Sequence, residues 1–146
     1  MINTNNIEQA KKEIKSQKEK PIIVKAQSLE FNRKLLEYGK FDILLSIESP
    51  LKQNQFQKSL DSGLNHVLAK IAVKNNISIG IDLKELRTLS KEQKAISLSK
   101  IKQNIKICRK AKAKLALLNV KDKHFAFSLL LSLGASTQQA KQAITF

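Results

Sequence analysis

The sequence predicts an α/β fold in which parallel strands alternate with helices, and three observations predict it. Short β-branched or leucine-rich runs recur at residues 21–26 (PIIVKA), 41–46 (FDILLS), 77–83 (ISIGIDL) and 115–119 (LALLN). Stretches with helical apolar spacing lie between them. The FDILLS run has consecutive rather than alternating apolar residues, as a parallel strand covered on both faces requires. Repeats of this βα kind build a parallel sheet with right-handed crossovers. The chain has 146 residues, the length of one domain with a buried core. A closed eight-stranded barrel usually takes ~250 residues, so a partial barrel or an open α/β sandwich fits the four legible strands.

Residues 1–20 are polar and, from Ile7 on, rich in lysine and glutamate. They predict an exposed helix or a loosely held arm, with no strand legible before Pro21. Pro21 disfavours helical geometry in the residue before it. The α/β domain itself is predicted over residues 21–146. After the first strand, Ser28 is a helix cap. The helix runs to Tyr38 with Leu29, Leu35 and Leu36 on one face, and Gly39 stops it. Residues 48–62, with Pro50, read as a polar loop. Residues 64–75 place Leu64, Val67, Leu68 and Ile71 at i, i+3, i+4, i+7. In the third strand Ile77, Ile79, Ile81 and Leu83 alternate. The longest helix spans 90–113, with Ser90 as cap and Gln93 at the capping-box position. Leu98, Ile101, Ile105 and Cys108 form its apolar seam. An apolar helix at 124–133 ends at Gly134, and a last short helix spans 136–144. The predicted core is Leu68, Ile71, Ile79, Ile81, Leu98, Ile101, Ile105, Leu117 and Leu130.

Charge is the unusual feature. Lysine and arginine number 27 against 12 acids, a net charge of +15 and a pI near 10. Such a surface attracts polyanions, and a pI above ~9 is a footprint of nucleic-acid binding. The plainer alternative is a lysine-rich composition that only keeps the protein in solution. The lone cysteine, Cys108, rules out an intramolecular disulfide and fits a reducing compartment. The chain does not open on a basic segment followed by an apolar one, so no secretory leader is expected. No apolar run approaches the ~18 residues of a membrane span. A cytoplasmic protein with no membrane partner is expected.

Enzymatic motifs are missing from the sequence. G-x-x-x-x-G-K-[ST], G-x-G-x-x-G and G-x-S-x-G do not occur, and with four glycines a phosphate-cradling loop is hard to build. His66 and His124 are too few for a multi-histidine metal site. His66 reads as a surface residue. Glu48 and Asp82 lie near the carboxyl ends of strands, where α/β proteins place their sites, but capping and charge balance account for such acids too. Cys108, on the apolar seam, reads as a buried inert thiol. The expectation is no catalytic residue, no metal ligand and no cofactor held by the protein.

The positive charge is organised on the longest helix. Lys102, Lys106 and Lys110 follow i, i+4 spacing and stack along one stripe, with Lys91 and Arg109 beside it. The residues from Gln93 to Ala113 include no acid, whereas a merely solvated lysine face normally interleaves glutamates. A polyanion across the stripe would relieve its repulsion. Lysine acts as a point charge and reads no base, and aromatic residues are 5% of the chain. Recognition of folded RNA by shape and backbone is therefore more natural than reading of single strands.

Three blocks carry a resemblance to a known family. The first is Gly63-Leu64-Asn65-His66-Val67-Leu68-Ala69-Lys70-Ile71-Ala72, followed by Asn75-Asn76. The second is Ile77-Ser78-Ile79-Gly80-Ile81-Asp82-Leu83 and Leu86. The third is Lys94-Ala95-Ile96-Ser97-Leu98-Ser99, then Gln103-Asn104-Ile105-Lys106-Ile107-Cys108-Arg109-Lys110. In order and spacing they resemble ribonuclease P component 3 of archaea, related to the eukaryotic thirty-kilodalton subunit. The likeness covers about half the chain. It implies a TIM-barrel-like fold akin to the polymerase-and-histidinol-phosphatase superfamily without its metal site, here trimmed or incomplete. It also implies pairing with ribonuclease P component 2 and binding to the ribonuclease P RNA. With magnesium, that RNA removes the 5′ leader of precursor tRNA, which the protein would meet indirectly. The RNA-binding residues expected are Lys91, Lys94, Lys102, Lys106, Arg109 and Lys110. The sequence departs from the family in three places. The family has a strand unit before the position of Pro21, usually an arginine where Lys94 stands, and a longer loop after residue 119. Two other readings stand beside this one: an autonomous metal-dependent phosphoesterase of the related barrel superfamily, and a basic nucleic-acid-binding scaffold.

Overall fold

Each legible strand finds its neighbour in chain order. The computed structural model describes residues 1–48 and 62–145; of the predicted polar loop, everything between Glu48 and Ser62, Pro50 included, lies outside the described residues. The order of elements is α1 (Ile7–Ser16), β1 (Ile23–Lys25), α2 (Leu29–Tyr38), β2 (Ile43–Leu45), α3 (His66–Lys74), β3 (Ser78–Asp82), α4 (Leu83–Thr88), α5 (Lys91–Ala111), β4 (Leu115–Leu118), α6 (Lys123–Ser132) and α7 (Thr137–Ile144). The four strands form one sheet in the order β1-β2-β3-β4, and every pairing is parallel. The predicted parallel α/β architecture is what the chain adopts.

Local chemistry sets the helix ends. The Ser28 side chain accepts from the Phe31 N–H, and Gly39 closes α2 in the left-handed conformation, φ 73°. A Cβ there would come within 2.8 Å of the Asn75 side chain, so glycine suits both the turn and the space. Ser90 with Gln93 and Ser136 with Gln139 form complete capping boxes at α5 and α7.

The sheet is apolar on both faces: β2 is buried throughout, and Ser78 to Ile81 of β3 are buried in succession. Of the predicted core, Leu68, Ile79, Ile81, Ile101, Ile105, Leu117 and Leu130 are buried, and Ile71 packs half-buried against them. Leu98 is a correction. The inward face of α5 consists of Ser97, Lys100, Ile101, Asn104, Ile105 and Cys108, which leaves Leu98 half-buried at its edge. Leu29 and Val67 also stand largely in solvent, 55% and 56% exposed. Phe31 with Asn32, and Ala69 with Ala72, take the inward places on α2 and α3.

Of the two alternatives expected for the first twenty residues, the helix forms, as α1, and it is docked. Ile2 forms a parallel bridge with Val24, donating its N–H to Ile23 and accepting from Lys25, both at 2.8 Å. Ala10 and Ile14 of α1 reach the same apolar cluster as the strands. Two apolar side chains per helix suffice to dock it, although the composition of the segment reads as polar. Helix α4 had no sequence signal of its own. Its six residues are too few to display a period, and its cap, Asp82, falls at the end of the third strand.

Candidate nucleic-acid interface

Helix α5 presents the predicted stripe to solvent. Lys91, Lys102, Lys106, Arg109 and Lys110 are exposed, and Lys94 is half-buried. From Lys102 to Lys110 the stripe runs a little over two turns, ~12 Å. Glu92 is the acid of this helix, at its first turn, so the stripe itself carries positive charge alone. Among the described residues no ion pair engages any of the six cations. Arg109 and Lys110 in the last turn favour the helix dipole. That stabilises the helix end, but it gives no reason for Lys102 and Lys106, which lie further back and repel their i, i+4 neighbours by a few tenths of a kcal/mol each. The structure thus brings five of the predicted residues onto one exposed surface, with Lys94 at its margin. Sequence reading missed Lys112 and Lys114, both exposed, which carry positive charge past the end of the helix. The run Arg109-Lys110-Ala111-Lys112-Ala113-Lys114 was the available signal.

A second polar assembly occupies the carboxyl ends of the strands. Lys25 of β1 pairs with Glu85 at 3.5 Å, and the Ser46 hydroxyl beyond β2 donates to the other Glu85 oxygen at 2.8 Å. Asp82 caps α4 through the N–H groups of Lys84 and Glu85 and accepts from the Asn119 amide at 2.7 Å. The Arg87 guanidinium donates to the Asn119 carbonyl at 3.5 Å. Glu48 is buried here, and its carboxyl pKa is pushed from 4.5 up to about 7. Burial is the main cause; a backbone hydrogen bond opposes it, the negative charges of Glu85 and Asp82 add to it, and Lys100 opposes it. The expected capping role of Asp82 is therefore observed, while Glu48 is a strongly perturbed acid that charge balance alone does not describe. Among the described residues no group of three or more histidines, cysteines or acids could hold a metal ion.

The remaining candidates fall as their positions suggest. His66 and His124 are exposed. Cys108 is fully buried, and burial pushes its thiol up to about 12, which makes the thiolate scarce. No described helix is long and apolar enough to cross a membrane.

No protein-family model matches the chain. Curated relatives do. The chain is 38% identical over 96 residues to ribonuclease P protein component 3 of Methanosarcina mazei, and 36% identical over 96 residues to the protein of the same name from Methanosarcina acetivorans. The matched stretch is 66% of this chain and 36% of each relative, so the chain spans about a third of the length of the relatives it matches. Its fold is also similar to a chain in the cryo-EM structure of archaeal ribonuclease P with mature tRNA. The TM-score is 0.76 at 23% identity, covering 97% of this chain and 61% of that one. That likeness shows a shared fold. The family read from the three residue blocks is the family to which these relatives belong by name.

Proposed function

We propose that this chain is a protein subunit of ribonuclease P, of the component 3 kind, that supports removal of the 5′ leader from precursor tRNA in the cytoplasm. The observation that carries this reading is the 38% identity over 96 residues to a protein of that name. The acid-free α5 stripe supplies a physical means. Its lysines place point charges against RNA phosphates and release counterions, while the buried face of the helix anchors it to the sheet. Lys91, Lys94, Lys102, Lys106, Arg109 and Lys110 are the residues assigned to that contact. In this reading the catalytic RNA performs the cut with magnesium, component 2 is the protein partner, and the chain alone is inactive. The chain-order parallel sheet is also the strand order of a barrel, so the fold is read as a trimmed, incomplete TIM-like barrel. The test is reconstitution. An archaeal ribonuclease P RNA transcript is incubated with precursor tRNA at limiting magnesium, with and without this chain and component 2. Faster leader removal with the chain, and none by the chain alone, is expected. A correct 5′ cut without RNA, or no effect on RNA binding or cleavage, would refute the reading.

A further inference from the structure

A cleft of about 570 Å³ opens between the end of α5 and helix α7. Its charged lining is Arg109, Lys112 and Lys114, and its amide lining is Gln138, Gln139 and Gln142; among the described residues no acid lines it. It adjoins the α5 stripe through Arg109. It lies at the amino end of β4, opposite the polar assembly at the carboxyl ends of the strands.

The cleft is built on fixed parts. Lys112 ends α5 in the left-handed conformation, φ 62°, with its N–H directed to the Arg109 and Cys108 carbonyls. The Ala113 N–H returns to Cys108 at 2.9 Å, so the backbone carrying Lys112 and Lys114 is held against the helix. Lys114 leads into β4, its carbonyl accepts from Ile79 at 2.9 Å, and its ammonium donates to Asn76 at 3.1 Å. On the other wall the Gln139 side chain bonds at both its oxygen and its nitrogen. Its oxygen accepts from the Ser136 N–H at 3.0 Å and its amide donates to the Ile105 carbonyl at 3.3 Å, which ties α7 to α5. Gln138 and Gln142 stand one turn apart on α7, both exposed. Their side-chain amides are engaged by no hydrogen bond among the described residues.

Three cations without an acid call for an anion. Two idle amides beside them call for a neutral group that both donates and accepts. A phosphodiester next to a ribose 2′-hydroxyl supplies both at the right scale, and that hydroxyl distinguishes RNA from DNA. The helix dipole accounts for Arg109 but not for Lys114, which lies beyond the helix, nor for the amides. We propose that the cleft is an RNA-selective backbone site, taking one phosphodiester and its ribose where the strand leaves the α5 stripe. Lys112 and Lys114 hold the phosphate, and Gln138 and Gln142 read the 2′-hydroxyl. This rests on the RNA-binding reading above.

The experiment compares a stem–loop RNA with the DNA stem–loop of the same sequence, by anisotropy at several salt concentrations, on the full chain. Lys112→Asn with Lys114→Gln removes the charge; asparagine tolerates the left-handed position. The slope of log affinity against log salt should fall by roughly one to two for both probes. Gln138→Ala with Gln142→Ala, helix-favouring exposed changes, should weaken RNA binding about fivefold or more and leave DNA binding unchanged. Circular dichroism reports folding of each variant. If the wild type binds RNA and Lys102→Gln/Lys106→Gln/Lys110→Gln weakens it, but neither cleft variant does, the cleft is solvated surface and the inference falls alone. Equal losses on RNA and DNA in the glutamine variant overturn the selectivity. If the wild type binds no RNA, the function proposed above falls together with it.

Discussion

Replacing Glu48 with glutamine should make the protein more stable at neutral pH and remove much of its pH dependence. Glu48 is 8% exposed, and its carboxyl stands at about 7 against an ordinary 4.5. The folded state therefore holds the proton more tightly than the unfolded chain. Below about pH 4.5 both states are protonated and the group contributes nothing to the balance. As pH rises from there towards 7, the unfolded chain releases its proton first, so stability falls, and it levels off above about 7. At ~1.4 kcal/mol per pH unit, the gap corresponds to ~3 kcal/mol. Urea unfolding at pH 5 and pH 8 measures it. The wild type should lose up to ~3 kcal/mol between the two, and Glu48→Gln should lose distinctly less. At pH 8 the variant should be the more stable of the pair. Every other ionisable group is common to both proteins, so the difference between the proteins isolates Glu48. An equal pH dependence in the two proteins would refute the reasoning. So would a less stable variant at pH 8, because that would mean that attraction to buried Lys100 outweighs the cost of burying the carboxylate.

Three further outcomes are expected. Changing Lys102, Lys106 and Lys110 together to glutamine should leave the circular dichroism spectrum unchanged, because all three are exposed. The same variant should lower the salt slope of RNA binding by up to about three; an unchanged slope would make the stripe mere solvated surface. Gly80→Ala should cost about 1–3 kcal/mol in urea unfolding, since a Cβ there would stand 2.5 Å from Ile43 Cγ2 and 3.0 Å from Leu45 Cδ1. Cys108 should resist a thiol reagent at pH 8 in the folded protein and react on unfolding, as its burial and a pKa of about 12 require. Rapid labelling under native conditions would contradict that placement.

What could be read in the sequence was what neighbouring residues decide. Ser28, Ser90 and Ser136 mark helix starts because their side chains bond N–H groups only three residues on. Gly39 marks a stop for an equally local reason. The strands were legible from short apolar runs, unbroken in FDILLS and LALLN and alternating in ISIGIDL, where buried Ser78 and Gly80 fill the other face. Periodicity failed where the tertiary surroundings choose among equivalent faces. Leu29 has helical spacing with Leu36, but Phe31 and Asn32 take the inward places in the first turn of α2 and leave Leu29 in solvent. Val67 fits the i, i+3 pattern, yet α3 turns its alanines inward, where small side chains allow close approach. The pairing of Ile2 with Val24 joins residues far apart in the chain, and no local pattern announces it. At the interface, the α5 stripe was legible because it is a property of one helix. The cleft was not, because α7 supplies one wall and the end of α5 the other.

Two polar regions compete for a functional role, and their internal bonding separates them. At the strand ends, Lys25 and Ser46 are committed to Glu85, and Asn119 and the α4 amides to Asp82. A ligand arriving there must break bonds between oppositely charged or polar partners before it makes its own. On α5 the situation is reversed. Lys102, Lys106 and Lys110 repel one another along the stripe, and no ion pair engages them among the described residues. A polyanion docking there displaces only water and mobile counterions and relieves a cost already present in the folded protein. The balance favours the flank of α5 over the mouth of the sheet, although α/β proteins usually place their sites at the latter. Under the function proposed above, such a surface would take a phosphate backbone with a strong salt dependence, and the polar assembly at the strand ends would keep its internal bonds.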